Sequence, residues 1–253
     1  MTDLLRTEGL RKTFGALAAV DGVDLTLPEG VLTAIIGPNG AGKTTLINLL
    51  SGAMPPDAGR VLFRGREITR LPVHARVRLG LTRSFQVMNI FPRLTVRENV
   101  LFPVLARRRA TLRAFARLTG DRNAGREADM LLEEVGLLPQ AGQEAATLSH
   151  GDQRRLELAI AVASHPILCF LDEPSSGMTA PERTMVLDLV RRLAQERRTT
   201  FVIVEHDMDV VFSLAARIVV MNRGRILADG PPEAIRANRQ VRQVYLGEED
   251  ERA

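Results

Sequence analysis

The sequence predicts an α/β fold built on a mostly parallel sheet, and three observations favour this class. Strands made almost entirely of apolar residues alternate with helical segments along most of the chain, the pattern of a parallel sheet with both faces covered. Apolar residues make up 45% of the sequence and charged residues 25%, which excludes a disordered or fibrous protein. A length of 253 residues is enough for one large domain with a substantial core.

The N-terminal part of the chain predicts strands followed by one helix. Residues 23–27 alternate between apolar and polar side chains, the period of a half-buried strand. Residues 31–36, which are apolar apart from Thr33, predict a buried strand. A helix is predicted from Lys43 to about Ala53. The other elements predicted here are a hairpin of residues 61–63 and 66–68 and a strand at 81–87.

The middle of the chain predicts helices, and the C-terminal part returns to strand–helix alternation. Helical spacing runs from Thr95 to about Leu138, with a loop near 119–125 and a helix end at Gly136. The chain therefore predicts one α/β core with an inserted helical lobe. The elements predicted after the lobe are strands at 167–171, 200–204 and 218–221, a helix at 181–198 and a helix after His206.

Charge is distributed unevenly along the chain. Residues 60–126 contain 16 Arg against three acidic residues, a net charge of +13, whereas the whole chain carries +4. Within this block, residues 105–118 predict a basic amphipathic helix suited to a membrane surface or a partner's groove. On charge alone the block fits a solvated face, contact with nucleic acid, or a position at an anionic membrane.

The cysteine count and the apolar stretches indicate the compartment. One cysteine, Cys169, excludes an internal disulfide and fits a reducing environment. The longest apolar stretch, residues 158–171, is interrupted by Ser164, His165 and Pro166, so it predicts no membrane span. The N-terminus shows no secretory signal, and we expect a soluble cytosolic protein.

A glycine-rich segment matches the phosphate-loop pattern G-x-x-x-x-G-K-[ST], between a buried strand and a helix. Its glycines let the backbone N–H groups and the helix N-terminus face phosphates. Lys43 is expected to meet the β- and γ-phosphates, and Thr44 to bind Mg²⁺. The only other lysine in the chain is Lys12. The predicted nucleotide-binding residues are Gly37, Pro38, Asn39, Gly40, Ala41, Gly42, Lys43, Thr44 and Thr45.

Two further strands end in residues that suit phosphate chemistry. The strand at 167–171 is followed by Asp172 and Glu173, which predict a Mg²⁺ ligand and a group that polarises the attacking water. The strand at 202–204 leads to His206, at the edge where open α/β sheets bind their ligands. These motifs together predict a P-loop NTPase that hydrolyses a nucleoside triphosphate with Mg²⁺.

A third motif, Leu148-Ser149-His150-Gly151-Asp152-Gln153, precedes the acidic strand and begins a helix. Ser149 can cap this helix with Asp152 three residues on, and the Ser149 hydroxyl and the Gly151 N–H offer a phosphate site. The motif resembles the LSGGQ signature of ABC-type ATPases, and the resemblance extends over nearly the whole chain.

This resemblance implies a RecA-like core of residues 1–86 and 156–253 with an antiparallel β subdomain, and a helical, signature-bearing lobe of residues 87–155. Phe14 matches the aromatic residue that stacks on adenine, Gln86 the lid-loop glutamine near Mg²⁺ and the γ-phosphate, and His206 the switch histidine. It also implies that Ser149, Gly151 and Asp152 contact the γ-phosphate of ATP held by a second ATPase subunit.

Three positions depart from the family pattern. His150 replaces a usual Gly and Asp152 a usual Gln, and an acid beside a phosphate site would weaken ATP-driven closure. Thr179, in the loop of residues 175–179, stands where many members carry Asp. These departures leave open a nucleotide-binding module with feeble hydrolysis.

Several short segments resemble the ATPases of branched-chain amino acid importers, the longer of the two types, among them Ser84-Phe85-Gln86 and Tyr245-Leu246-Gly247. The triplet Gly177-Met178-Thr179 leans toward importers of urea or short amides. The resemblance implies a peripheral protein on the cytoplasmic face of the membrane that works with two permease subunits and, through them, a solute-binding protein.

A different function, a non-transport ABC ATPase acting on nucleic acid or ribosomes, is suggested by the arginine block. Members of that class usually have fused ATPase halves, long coiled coils or zinc modules, and the sequence shows none. We therefore expect no nucleic-acid partner and assign the block to the membrane-facing lobe.

Overall fold

The fold was analysed in a computed structural model, which describes residues 3–84, 90–108, 121–196 and 199–246, with the backbone alone at 245 and 246. Ten strands are found in these ranges. They are β1 (Asp3–Phe14), β2 (Leu17–Pro28), β3 (Thr33–Ile36), β4 (Ala58–Phe63), β5 (Arg66–Glu67), β6 (Leu81–Ser84), β7 (Leu168–Asp172), β8 (Thr200–Val204), β9 (Arg217–Asn222) and β10 (Arg225–Gly230).

Helices in the same ranges are α1 (Lys43–Ser51), α2 (Val73–Arg78), α3 (Val96–Arg107), α4 (Arg122–Glu134), α5 (His150–Ala163), α6 (Ala180–Glu196), α7 (Met208–Leu214), α8 (Pro232–Ala237) and α9 (Arg239–Leu246). Among the described residues, no helix is both long and apolar enough to cross a membrane.

The strands form two sheets. A four-stranded antiparallel sheet has the order β2-β1-β4-β5. A six-stranded sheet has the order β10-β9-β3-β8-β7-β6, in which β3 runs parallel to both β8 and β9 and β10 is antiparallel to β9. The predicted α/β class, with a mostly parallel sheet and an antiparallel β subdomain, is confirmed.

The central strands of the six-stranded sheet are fully buried. Every residue of β3, β7 and β8 is buried, as the sequence pattern predicts for strands covered on both faces. Their carboxyl ends lead directly to the phosphate loop, to the acidic pair and to His206. The buried strands therefore supply rigid starting points for the residues that carry the predicted chemistry.

The chain divides into two compact units. The first contains residues 1–76, 170–173 and 200–253, and the second contains residues 77–169 and 174–199. The first unit includes the antiparallel sheet, the phosphate loop and the acidic pair, whereas the second includes α3 to α6. The predicted boundaries of the functional core and of the signature-bearing lobe stay a prediction.

The main error in the predicted elements concerns the loop near 119–125. Helix α4 already begins at Arg122, because the Asp121 carboxylate caps it by accepting hydrogen bonds from the N–H groups of Asn123 and Ala124, both at 3.0 Å. The predicted helix end at Gly136 is confirmed: φ is 72° there and its N–H donates to the Glu133 carbonyl. Strand β10 and helices α2, α8 and α9 were not predicted, and no bounds were predicted for β1.

Three predicted elements fall partly outside the described residues: the helix predicted for 181–198, which is described through Glu196, and two further elements. The strand predicted for 81–87 is described through Ser84, and the basic helix predicted for 105–118 is described through Arg108. Residues 85–89 and 109–120, which contain the remainder of both, are outside the described ranges.

Candidate functional site

The predicted phosphate loop, residues 37–42, joins the buried strand β3 to helix α1. Gly40 and Gly42 have φ angles of 78° and 99°, in the left-handed region that favours glycine. A Cβ atom on Gly42 would lie 2.1 Å from the Ala19 carbonyl oxygen. The loop therefore packs so closely against β2 that its last glycine leaves no room for a side chain.

The start of helix α1 is suited to an anion. Its N-cap residue is Gly42, which has no side chain to cap the first N–H groups, and no acidic residue lies in the first turn. Thr44 is exposed and Thr45 is half-buried in that turn. Because helix N-termini present N–H donors and partial positive charge, this end of α1 fits a phosphate group, with the Thr44 hydroxyl accessible beside it.

Lys43 lies over the phosphate loop. Its Nζ donates hydrogen bonds to the carbonyl oxygens of Gly37 and Pro38, at 2.6 and 3.1 Å. Burial lowers the pKa of the Lys43 ammonium, and the nearby carboxylates of Glu173 and Asp172 oppose that shift. The loop thus holds a partly desolvated cation in the field of the acidic pair.

The acidic pair stands at the end of β7. Asp172 is 3% exposed, and Glu173 is half-buried with a φ angle of 48°, a strained value for a residue with a side chain. The Glu173 N–H donates to the Val204 carbonyl of β8 at 2.9 Å, which holds this backbone in place. His206 Nδ1 lies 3.7 Å from Glu173 Oε1. Lys43, Asp172, Glu173 and His206 therefore converge within the first unit.

Phe14 ends β1 at a tight hairpin and pairs with Leu17 across the turn. Its side chain is 48% exposed, so it does not belong to the core. Five residues on, Ala19 touches the position that a Gly42 side chain would occupy. The hairpin therefore carries an exposed aromatic ring at its end, on the strand pair whose residue Ala19 meets the phosphate loop.

The signature residues lie in the second unit, at the start of α5. Ser149 caps this helix, and its hydroxyl accepts a hydrogen bond from the Asp152 N–H at 3.2 Å. The Asp152 carboxylate forms an ion pair with Arg155, which also donates to the Val135 and Gly136 carbonyls. The acid singled out as a departure from the family pattern therefore has a basic partner one turn away.

The Thr179 departure also has a local partner. The Glu182 carboxylate accepts hydrogen bonds from the Thr179 hydroxyl at 2.7 Å and from its N–H at 3.0 Å. These bonds hold the pKa of Glu182 below its usual range. The same carboxylate lies 2.9 Å from where a Cβ on Gly151 would stand, so it borders the buried signature glycine.

The remaining predicted residue, Gln86, lies outside the described residues. Motif reading also missed three residues that organise the site's surroundings: Asp57, Arg76 and Glu182. Asp57 and Arg76 act on partners remote in sequence, so no local motif marks them. Glu182 instead lies three residues after Thr179, in a Thr-x-x-Glu pattern typical of a helix start. Asp57 forms an ion pair with Lys12, to which the sequence assigned no role.

A glycine-rich loop after a buried strand, a lysine over that loop and two carboxylates at the end of a neighbouring strand define a P-loop nucleoside triphosphatase. Comparison with known proteins narrows this class. The family model described as ABC transporter matches residues 20–176. A second model, described as branched-chain amino acid ATP-binding cassette transporter, matches residues 225–251.

Similar proteins match over nearly the full length. The chain is 40% identical over 252 residues to the high-affinity branched-chain amino acid transport ATP-binding protein BraF of Pseudomonas aeruginosa, covering 97% of this chain and 98% of that protein. It is 39% identical over 250 residues to LivG of Escherichia coli strain K12, with the same coverage. A solved ATP-binding cassette of an ABC transporter, in its ADP conformation, has a TM-score of 0.86 at 30% identity and covers 98% of this chain and 100% of its own.

The chain therefore belongs to the family of ABC transporter ATP-binding proteins and is an ABC-type ATPase.

Proposed function

We propose that this protein is the ATP-hydrolysing subunit of an importer for branched-chain amino acids. The strongest support is that the geometry of the phosphate-loop site agrees with the similarity of the whole chain to transport ATPases. The Lys43 ammonium and the acidic pair meet at a phosphate loop, and the relatives that match end to end are branched-chain amino acid transport ATPases. The C-terminal match over residues 225–251 points to the same transported solutes.

Lys43 and the loop act on the phosphates of ATP. The N–H groups at the start of α1 bind the phosphate oxygens, and Lys43 exchanges its bonds to the loop carbonyls for bonds to the β- and γ-phosphates. Fixed donors of this kind offset the negative charge that spreads over the transferred phosphoryl group. Lys43 thus contributes both to ATP binding and to the rate.

Glu173 and His206 act on the attacking water. The Glu173 carboxylate accepts a hydrogen bond from the water and orients it toward the γ-phosphate. The hydrogen bond from the Glu173 N–H to the Val204 carbonyl fixes the backbone from which this carboxylate projects. His206 lies beside Glu173 and contacts the γ-phosphate. Gln86 positions the same water and contributes to the metal site.

Mg²⁺ fits beside this cluster, since oxygen ligands from one carboxylate and one hydroxyl, with water and phosphate, are typical of it. Asp172 and Thr44 would hold it, and the resemblance to the family implies that Gln86 contributes to the same metal site. When bound, Mg²⁺ neutralises charge on the β- and γ-phosphate oxygens.

The signature residues Ser149, Gly151 and Asp152 complete the site of a second ATPase subunit. The Ser149 hydroxyl and the N-terminus of α5 then bind the γ-phosphate of the partner's ATP, in the manner of other helix N-termini. The pairing of Asp152 with Arg155 supports this role, because it offsets the acid's repulsion of phosphate. Such a pair of ATPases docks on two permease subunits at the cytoplasmic face of the membrane. A solute-binding protein delivers the solute to these permease subunits.

The catalytic assignment is tested by Glu173→Gln, with Glu67→Gln, an exposed residue of β5, as the matched control. We expect ATP hydrolysis to fall by about a hundredfold or more while ATP binding persists, because the amide cannot accept the water's proton. The control should hydrolyse ATP like the wild type. Unchanged turnover in Glu173→Gln would refute the assignment.

The transported solute is tested separately. The protein is purified with the membrane and solute-binding proteins that accompany it, and the complex is reconstituted in vesicles with ATP inside. We expect uptake of labelled leucine, isoleucine or valine that Glu173→Gln abolishes. Uptake of urea or acetamide instead would assign the protein to the urea and amide importers, and recovery of RNA or DNA without any permease would refute the transport function.

A further inference from the structure

The second lysine of the chain, Lys12, forms a cluster with Asp57 directly before Phe14. Lys12 Nζ lies 2.7 Å from Asp57 Oδ1, and the Lys12 side chain is 15% exposed. The other Asp57 oxygen, Oδ2, accepts hydrogen bonds from the Thr13 N–H at 2.7 Å and from the Thr13 hydroxyl at 2.8 Å. The Asp57 N–H donates to the Arg11 carbonyl at 2.9 Å. Asp57 therefore holds three successive residues of β1, 11 to 13.

These contacts lead straight to the exposed aromatic ring. Lys12 Nζ lies 5.9 Å from the centre of the Phe14 ring, a distance at which an ammonium still interacts with a ring face. Phe14 and its cross-strand neighbour Leu17 are 48% and 67% exposed, so two apolar side chains project at the hairpin end. An exposed apolar pair at a fixed hairpin offers a platform for a flat apolar group.

The platform is joined to the phosphate loop from two directions. On one side, β2 leads from Leu17 to Ala19, whose carbonyl closes against Gly42. On the other side, α1 begins at Lys43, and the segment that follows this helix ends at Asp57, directly before β4. Asp57 in turn contacts the end of β1. Phosphate loop and platform are therefore linked through short stretches of the same unit.

We propose that Lys12 and Asp57 are positioning residues that set the Phe14 ring for stacking on the base of ATP. Asp57 holds the end of β1, and Lys12, fixed by Asp57, borders the Phe14 ring and keeps it in the orientation that a base requires. This inference rests on the proposed function, because it takes ATP to be the nucleotide that binds at the phosphate loop.

The test separates the base from the phosphates. Dissociation constants are measured by calorimetry for ATP and for inorganic tripolyphosphate, which lacks the base, with Mg²⁺ present. The variants are Lys12→Met and Asp57→Asn. The matched control is Arg60→Met, which removes an ion pair with Glu8 in the same sheet, at 2.5 Å, away from the hairpin end.

We expect Lys12→Met and Asp57→Asn to weaken ATP binding by about three- to tenfold and to change tripolyphosphate binding by less than about twofold. Arg60→Met should leave both constants unchanged. Equal weakening of both ligands would overturn the proposal, since the cluster would then act through the phosphate loop or the fold, and unchanged ATP binding would overturn it as well.

Two reference variants keep this inference distinct from the proposed function. Phe14→Ala should lower ATP affinity alone, whereas Lys43→Ala should weaken both ligands. If Phe14→Ala binds ATP like the wild type while Lys43→Ala does not, base stacking at Phe14 is refuted and the ATPase function stands. A wild-type protein that binds neither ligand would overturn both proposals.

Discussion

Arg76 is the largest fully buried side chain of the described residues, and its replacement by Met should destabilise the protein strongly. The guanidinium is 1% exposed and donates to four backbone carbonyls. Nη1 bonds Leu49 at 2.9 Å and Leu50 at 2.7 Å, in the last turn of α1, while Nη2 and Nε bond Thr69 and Leu71 at 2.9 and 3.0 Å. Arg76 therefore caps the helix that begins at the phosphate loop.

The magnitude follows from those four bonds. Burial lowers the pKa of Arg76 to about 10, so the guanidinium still carries its charge at pH 7. This positive charge also interacts favourably with the negative, C-terminal end of the α1 dipole. Each carbonyl left without its donor costs about 1 kcal/mol, and the apolar Met side chain recovers part of the packing. We expect the free energy of unfolding to fall by about 3–5 kcal/mol. At this chain length that corresponds to a Tm lower by about 6–20 °C.

Urea unfolding followed by circular dichroism measures this change, because the chain contains no Trp for fluorescence. Arg78→Met, at an exposed position of the same helix, is the matched control and should unfold like the wild type. An unfolding free energy of Arg76→Met within about 1 kcal/mol of the wild type would refute the reasoning, since buried carbonyls would then be satisfied without the guanidinium.

Two other predictions concern Gly42 and Cys169. Gly42→Ala should weaken ATP binding at least about tenfold in calorimetry, because its Cβ would meet the Ala19 carbonyl at 2.1 Å. Gly65→Ala, also at positive φ but with no atom within 4 Å of its Cβ, should bind ATP normally, and normal binding by Gly42→Ala would contradict the argument. Burial raises the pKa of the Cys169 thiol to about 12, so a thiol reagent at pH 8 should label the native protein at least about a hundredfold more slowly than the urea-unfolded chain. Rapid labelling in native buffer would show that β7 opens readily.

The central strands and the phosphate loop of the first unit were predictable because their signals are local. The buried strands β3, β7 and β8 are apolar apart from one polar residue at an end of each, and the phosphate loop has its glycines at fixed spacing. Each could therefore be recognised within a short window. Helix α4 was misplaced at its start because a cap depends on one side chain reaching back to the backbone. Asp121 has that role, although an Asp before a polar segment predicts a loop equally well.

The sequence by itself determined the chemistry of this protein: a phosphate loop with Lys43, an acidic pair and a signature motif, in an order that resembles one family. Only the tertiary structure decided what surrounds these motifs. Lys12 and Asp57 are 45 residues apart, and Arg76 reaches Leu49 27 residues away. Such pairs depend on the register of β1 against its neighbours and on how helices pack, which are set by long-range contacts rather than by local pattern. Lys12, to which the sequence assigned no role, lies beside an acidic partner, Asp57, and an aromatic neighbour, Phe14.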